Sequence, residues 1–141
     1  MTDQPGGRPT GGLTPFISIR DRRGREACAF YARAFGAELK EQQPAEDGER
    51  LMYAGLVING DHLMLSDEFP EWGYKAGAPA SVTLHLQVDD ADAWVERAQA
   101  AGCEVTMPVA DQFWGDRYGQ LRDPFGHSWS IGGPLKGTAN V

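Results

Sequence analysis

The amino-acid sequence predicts an α+β fold built from two tandem βαβββ modules. Two amphipathic helical patterns each end at a glycine, Gly36 and Gly102, and these glycines lie 66 positions apart. The same offset superposes the turn glycine Gly60 on Gly126, between segments in which polar and apolar residues alternate. A helix end and a hairpin glycine repeated in one register indicate an internal duplication.

The first module begins with a short apolar strand in LTPFISIRD, which is followed by a helix in REACAFYARAFG. The helix pattern places apolar side chains at i, i+3, i+4, i+7 and i+8: Ala27, Phe30, Tyr31, Ala34 and Phe35. Three strands follow, in AELKEQQP, RLMYAGLVI and DHLMLSD. The Asn59-Gly60 pair predicts a tight turn between the last two.

The second module repeats this order, with a strand in SVTLHLQV and a helix in DDADAWVERAQAAG. Asp89 or Asp90 is the expected N-cap of this helix, and its expected inward residues are Trp94, Val95 and Ala98. Three strands are predicted in CEVTMP, DRYGQLRD and HSWSIGG, with a DPFG turn before the last. The predicted organisation is a flexible leader 1–12, a first module 13–67, a linker 68–80, a second module 81–133 and a flexible tail 134–141.

The formal net charge of -7 disfavours nucleic acid and anionic membranes as partners, because both require a basic surface. No apolar run approaches the roughly 18 residues of a membrane span and no signal segment opens the chain, so we expect a cytoplasmic protein with a small ligand. Cys28 and Cys103 lack the spacing of a metal site and are too few for a disulfide framework. We expect both to be reduced and semi-buried.

Two local sequences, FYARAFGAEL and RDPFGH, carry a resemblance to a known family. With the tandem βαβββ pattern, the chain resembles the vicinal oxygen chelate superfamily, which includes glyoxalase I, bleomycin-resistance proteins and extradiol dioxygenases. LMLSDEFPEWG and ADQFWGDRYGQLRDPFGHSWSI are similar to its PhnB-like branch. The resemblance implies a cup-shaped mixed sheet with helices on its convex side, and a homodimer.

The resemblance also implies where a metal would bind. In the superfamily's enzymes, a His on the first strand and a Glu on the last strand of each module hold a divalent ion. Here those positions carry Thr14 and Thr83, and Met64 and Ser130. Hydroxyls and a thioether are poor ligands for such ions, so we expect no metal and no cofactor. A displaced metal site that uses His62 and His85 stays open as an alternative.

Strand alternation predicts a polar, uncharged and partly aromatic lining of the cup. The apolar face of 82–88, with Val82, Leu84, Leu86 and Val88, should instead meet the helix. The candidate ligand-binding residues on the strands are Thr14, Phe16, Ser18, His62, Met64, Thr83, Gln87, Ser128 and Ser130. His85 is the candidate general base, against the alternative that it only satisfies neighbouring hydroxyls.

The loop DQFWGDRYG supplies four further candidates, Phe113, Trp114, Arg117 and Tyr118, either as a lid over a flat ligand or as an interface. The same two roles, lid or interface, are open to the linker segment EFPEWGY. The favoured function is binding of a small organic molecule in the cup between the modules. The alternatives are a lyase, isomerase or dioxygenase-type enzyme that uses His85 or a displaced metal, and a protein-interaction module.

Overall fold

The structure, a computed structural model, describes residues 8–136, which divide into two compact units between Gly77 and Ala78. The first unit contains β1 (Phe16–Ile19), α1 (Gly24–Phe35), β2 (Glu38–Pro44), β3 (Leu51–Ile58), β4 (Asp61–Asp67) and a 3₁₀ helix (Pro70–Trp72). The second contains β5 (Thr83–Gln87), α2 (Ala91–Ala101), β6 (Glu104–Asp111), β7 (Arg117–Arg122) and β8 (Ser128–Gly133). The predicted order, βαβββ twice, is confirmed.

Each unit holds one four-stranded mixed sheet, with strand order β1-β4-β3-β2 in the first and β5-β8-β7-β6 in the second. The first and last strands of a unit pair in parallel, and the other pairs are antiparallel. Phe16 pairs with Met64 in the first sheet, and His85 pairs with Ser130 in the second. These pairs occupy the same register, so the internal duplication extends to the pairing of single residues.

The predicted inward face of α1 forms the core of the first unit, since all five of its apolar residues are buried. Tyr31 and Phe35 stack with ring centroids 6.2 Å apart. Gly36 then ends the helix at φ 69°, a left-handed conformation that glycine adopts without steric cost. Its backbone N–H donates to the Ala32 carbonyl and so satisfies one of the free acceptors at the helix end.

At the start of α2, Asp90 rather than Asp89 is the N-cap, and its carboxylate accepts from the Ala93 N–H at 3.1 Å. Val95 and Ala98 are buried as expected. The prediction for Val82 is wrong, because its side chain is 67% exposed. β5 begins only at Thr83, where pairing with β8 begins, so Val82 lies outside the sheet.

Two buried carboxylates were not identified from the sequence. Asp67, at the end of β4, accepts from the Gly24 and Leu51 backbone N–H groups, both at 2.7 Å. Asp123 accepts from the Phe125 and His127 N–H groups and from the Trp129 indole, at 2.9 to 3.0 Å. Each carboxylate joins chain segments whose contact the hydrophobic pattern of the sequence does not predict.

The described parts of the predicted leader and tail each contain an ion pair. Arg8 pairs with Glu41 at 2.9 Å, and Lys136 pairs with Asp92 at 3.2 Å. Residues 1–7 and 137–141, which complete the predicted leader and tail, lie outside the described residues. Both cysteines are free and buried, and burial raises the pKa of Cys28 to about 11 and that of Cys103 to about 12. Both are therefore protonated thiols at neutral pH.

Candidate functional site

A hydrogen-bonded chain of three polar side chains is centred on His85 in the second unit. Nδ1 of His85 lies 2.7 Å from the Ser130 hydroxyl on the neighbouring strand β8, and Nε2 lies 2.7 Å from Oε1 of Gln87. Residues two apart on a strand share a face, which is why His85 and Gln87 meet. The parallel register places Ser130 opposite His85 on that face.

In the neutral imidazole of His85, the hydrogen bonds favour a proton on Nε2 over one on Nδ1. The amide oxygen of Gln87 can only accept, so Nε2 donates to it and Nδ1 accepts from the Ser130 hydroxyl. Both nitrogens are therefore engaged. His85 can bind a metal only if Ser130 or Gln87 first gives up its hydrogen bond. It can take a proton from a ligand in the same way, or through the Ser130 hydroxyl.

Aromatic rings extend this face towards the β6–β7 loop. Tyr118 stacks on the His85 ring with centroids 6.1 Å apart, and its hydroxyl accepts from the Gln120 amide at 3.0 Å. Trp114 contacts Tyr118 edge-on at 5.5 Å, and Phe113 contacts Trp114 at 5.2 Å. Phe113 itself is almost fully exposed. The structure thus connects three of the four predicted loop residues to His85.

The fourth, Arg117, points to the other face of the sheet. Its guanidinium pairs with Asp92 of α2 at 2.6 Å and with Asp111 at 3.2 Å. The hydrogen bonds from Arg117 lower the pKa of Asp92 to about 2, so this pair stays ionised at neutral pH. An anionic ligand would have to compete with two carboxylates for Arg117, which counts against its predicted role.

Gly132 makes room for the bond between His85 and Gln87, although no periodic pattern in the sequence marks this position. A Cβ at this position would lie 2.8 Å from Oε1 of Gln87 and 3.0 Å from Cε1 of His85. We expect Gly132→Ala to displace Gln87 and release Nε2 of His85, which nitrogen NMR of the imidazole would detect as a change of tautomer. Gln87→Ala should give the same change without the steric contact. Unchanged imidazole signals in both variants would contradict this assignment of the tautomer.

The first unit has a cavity of about 420 Å³ on the sheet face that carries Phe16. Its lining is aromatic and apolar apart from two serines: Phe16, Ser18, Met52, Ser66, Phe69, Trp72 and Tyr74. Phe16 stands in the register position that His85 occupies in the second unit. The duplicated position is therefore apolar in one unit and polar in the other.

The aromatic wall of this cavity comes from the segment predicted as a linker. Backbone hydrogen bonds between Phe69 and Tyr74 close it into a short loop, and the Phe69 and Trp72 rings stack at 4.9 Å, 9° from parallel. The Glu68 carboxylate accepts from the Asp21 and Ala76 N–H groups and so fixes both ends of the segment. These hydrogen bonds hold the wall in place.

The four positions at which the resemblance places metal ligands hold Thr14, Met64, Thr83 and Ser130. Thr83 pairs with Ser128 across the sheet, Met64 pairs with Phe16, and the Ser130 hydroxyl is bonded to His85. Thr14 lies before β1 and is half-buried. Within residues 8–136, no three His, Cys, Asp or Glu side chains are grouped so that they could hold a metal together.

The other predicted lining residues differ in exposure. Ser18, Thr83 and Gln87 are exposed, His62, Met64 and Ser128 are half-buried, and Ser130 is buried.

No helix in the described part of the chain is long and apolar enough to cross a membrane.

The chain matches one family model and is similar to several known proteins. A family model of the Glyoxalase/Bleomycin resistance protein/Dioxygenase superfamily matches residues 14–131. The chain is 43% identical over 130 residues to the uncharacterized protein Mb0911c of Mycobacterium bovis, a match that covers 88% of this chain and 84% of that protein.

Two solved structures are informative. TnmS3, an antibiotic binding protein from Streptomyces sp. CB03234, superposes with a TM-score of 0.60 at 25% identity, over 90% of this chain and 99% of TnmS3. A PhnB protein from Bacillus cereus superposes with a TM-score of 0.67 at 17% identity, over 86% and 98% of the two chains. At that identity the second likeness concerns the fold alone.

Proposed function

Because the chain belongs to the glyoxalase/bleomycin resistance protein/dioxygenase superfamily, we propose that it binds a small organic molecule in the aromatic cavity of its first unit. The observation that carries this proposal is the cavity itself. Phe16, Trp72 and Tyr74 are 55%, 56% and 70% exposed, and all three line it. Large aromatic side chains left open around one concave surface are typical of a binding site.

The lining favours a flat, uncharged ligand. Among residues 8–136, no charged side chain lines the cavity, whereas the serines Ser18 and Ser66 offer hydroxyls for directed hydrogen bonds. Aromatic rings gain most from stacking on another ring, in offset or edge-on geometry. A volume of about 420 Å³ lies within the range of small-molecule sites. TnmS3, an antibiotic binding protein, is a precedent for binding by this fold.

We propose that binding does not use the superfamily's metal, because the donors at its positions are two threonines, a serine and a methionine. Metal analysis of protein purified without chelator tests this point. A stoichiometric divalent ion that remains bound would contradict it. The homodimer and the cytoplasmic location implied earlier stay parts of this proposal, and sedimentation equilibrium would test the first of them.

One observation favours the alternative, an isomerase or lyase that uses His85. The Ser130 hydroxyl donates to Nδ1 of His85 while Gln87 fixes the opposite nitrogen, an arrangement that could pass a ligand proton through Ser130 to the ring. Ser130 is buried, however, and little of it could reach a ligand. Binding in the first unit is therefore the better supported function.

Titration with Nile red, a flat and uncharged fluorescent dye, tests the binding proposal. We expect Trp72→Ala and Phe16→Ala each to weaken dye binding by about tenfold, because each removes a large aromatic surface from the ligand. The matched control is Leu39→Ala, which truncates an exposed apolar side chain on β2, at the opposite edge of the same sheet from β1.

The outcomes separate the candidate sites. If the dye does not bind, or if Leu39→Ala weakens dye binding as much as Trp72→Ala does, the cavity is not the site. Loss of binding in Phe113→Ala with none in Trp72→Ala would instead move the site to the second unit, where Phe113 would act as the lid that its sequence suggested.

A further inference from the structure

Arg50 lies behind the aromatic wall, outside the cavity lining, just before β3. Its guanidinium forms two hydrogen bonds with the Glu71 carboxylate, at 2.7 and 3.1 Å, and a third with Asp47 at 2.7 Å. The Asp47 carboxylate in turn accepts from the Glu49 and Arg50 N–H groups. The guanidinium is therefore held from two sides and has little freedom to rotate.

The same guanidinium lies over the Phe69 ring, with Cζ 4.3 Å from the centroid. Phe69 is buried, and its ring also stacks on the Trp72 ring with centroids 4.9 Å apart. The Phe69 ring thus contacts both the Arg50 guanidinium and the Trp72 ring, and a cation over a ring face is an attractive contact. Because Glu71 directly precedes Trp72 in the 3₁₀ helix, Arg50 fixes both the backbone next to Trp72 and the ring on which Trp72 rests.

We propose that Arg50 is a positioning residue for the cavity: it holds Trp72 in the orientation that receives a flat aromatic ligand, without contacting that ligand. The inference rests on the proposed function and adds a residue that determines affinity from outside the lining. A half-exposed tryptophan that is already oriented loses less conformational freedom on binding than a mobile one, and this difference raises affinity. Arginine suits the role because its planar fork can bind a carboxylate and cover a ring at once.

Two substitutions separate the parts of this contact. Arg50→Met keeps an unbranched apolar stem and loses the charge and the fork, and we expect it to weaken Nile red binding by about fivefold. Arg50→Lys keeps the charge but not the planar fork, so it should restore part of the affinity. The matched control is Arg23→Met, which removes a two-bonded pair with Glu26 in the same unit, away from the cavity lining.

A second readout reports directly on Trp72. The fluorine NMR signal of Trp72 in fluorotryptophan-labelled protein, assigned with Trp72→Phe, should shift or broaden in Arg50→Met and stay unchanged in Arg23→Met. This measurement needs no ligand. An unchanged Trp72 signal in Arg50→Met would overturn the positioning role whatever the dye does.

The dye measurements distinguish this inference from the proposed function. If wild-type protein binds Nile red and Trp72→Ala weakens it, but Arg50→Met leaves the affinity unchanged, only the role of Arg50 is overturned. Equal weakening in Arg23→Met and Arg50→Met would also overturn it, because the effect would then be a general loosening of the unit. If Trp72→Ala has no effect, the proposed function fails and the inference fails with it.

Discussion

Asp67→Ala is expected to lower the free energy of unfolding by about 3 kcal/mol, since a buried N–H group left without its acceptor costs roughly 1–3 kcal/mol. The Asp67 side chain is only 1% exposed and accepts from two backbone groups, the Gly24 N–H at the start of α1 and the Leu51 N–H at the start of β3. Gly24 packs so closely on the carboxylate that a Cβ there would overlap it. Alanine would leave both groups unsatisfied next to a small void.

Urea denaturation followed by circular dichroism would measure this loss. Asp61→Ala is the control, because Asp61 is exposed at the other end of the same strand and, within the described residues, accepts from its own neighbour His62. Asp67→Asn keeps one oxygen acceptor and should lose less stability than alanine. If Asp67→Ala unfolds at the same urea concentration as Asp61→Ala, the carboxylate does not hold the helix and the strand together.

Asp123→Ala is expected to destabilise the second unit to a similar extent, by about 3 kcal/mol, because it removes one carboxylate that accepts from three donors, two of them backbone N–H groups in the β7–β8 turn. The third is the buried Trp129 indole N–H. The emission of Trp129 should shift as this indole loses its partner. Asp89→Ala, at an exposed position, is the control. A destabilised variant with unchanged tryptophan emission would contradict the role given to the indole bond.

The two units connect the last strand to the helix start by different means. At the end of β4, the Asp67 carboxylate reaches the first N–H of α1. The position 66 residues later is Gly133, where a Cβ would lie 2.9 Å from the Val88 carbonyl oxygen and 3.3 Å from the Ala91 nitrogen. A side chain joins the elements in one unit, and close backbone approach, which only glycine permits, joins them in the other.

The sequence predicted most of the fold because its signals are local. Helix periodicity located both helices, and Gly36 and Gly102 marked their ends. Strand alternation placed Phe16 with Met64 and His85 with Ser130 on the same faces, as the observed register requires. Strand alternation gave the wrong environment for Val82. The first paired residue of a strand depends on where the neighbouring strand begins, and alternation does not show this.

The candidate site was only partly predictable for the same reason. Alternation identified His85 and Ser130, but it could not show that Gln87 and Gly132 fix the ring. Arg117 was grouped with its aromatic neighbours in the loop sequence. Residues 117 and 118 lie in a strand, however, so their side chains take opposite faces and Arg117 binds Asp92 of α2.

By itself, the sequence determined the duplication, the two βαβββ units and the faces of their strands, because these follow from spacings of a few residues that repeat along the chain. Only the tertiary structure decided that the segment 68–76 folds back as a cavity wall and that Arg50 supports it through Phe69 and Glu71. Those contacts join residues about twenty positions apart through a two-bonded ion pair and a contact between a cation and a ring. Such pairings leave no periodic signal, because they depend on how distant segments meet in the folded chain.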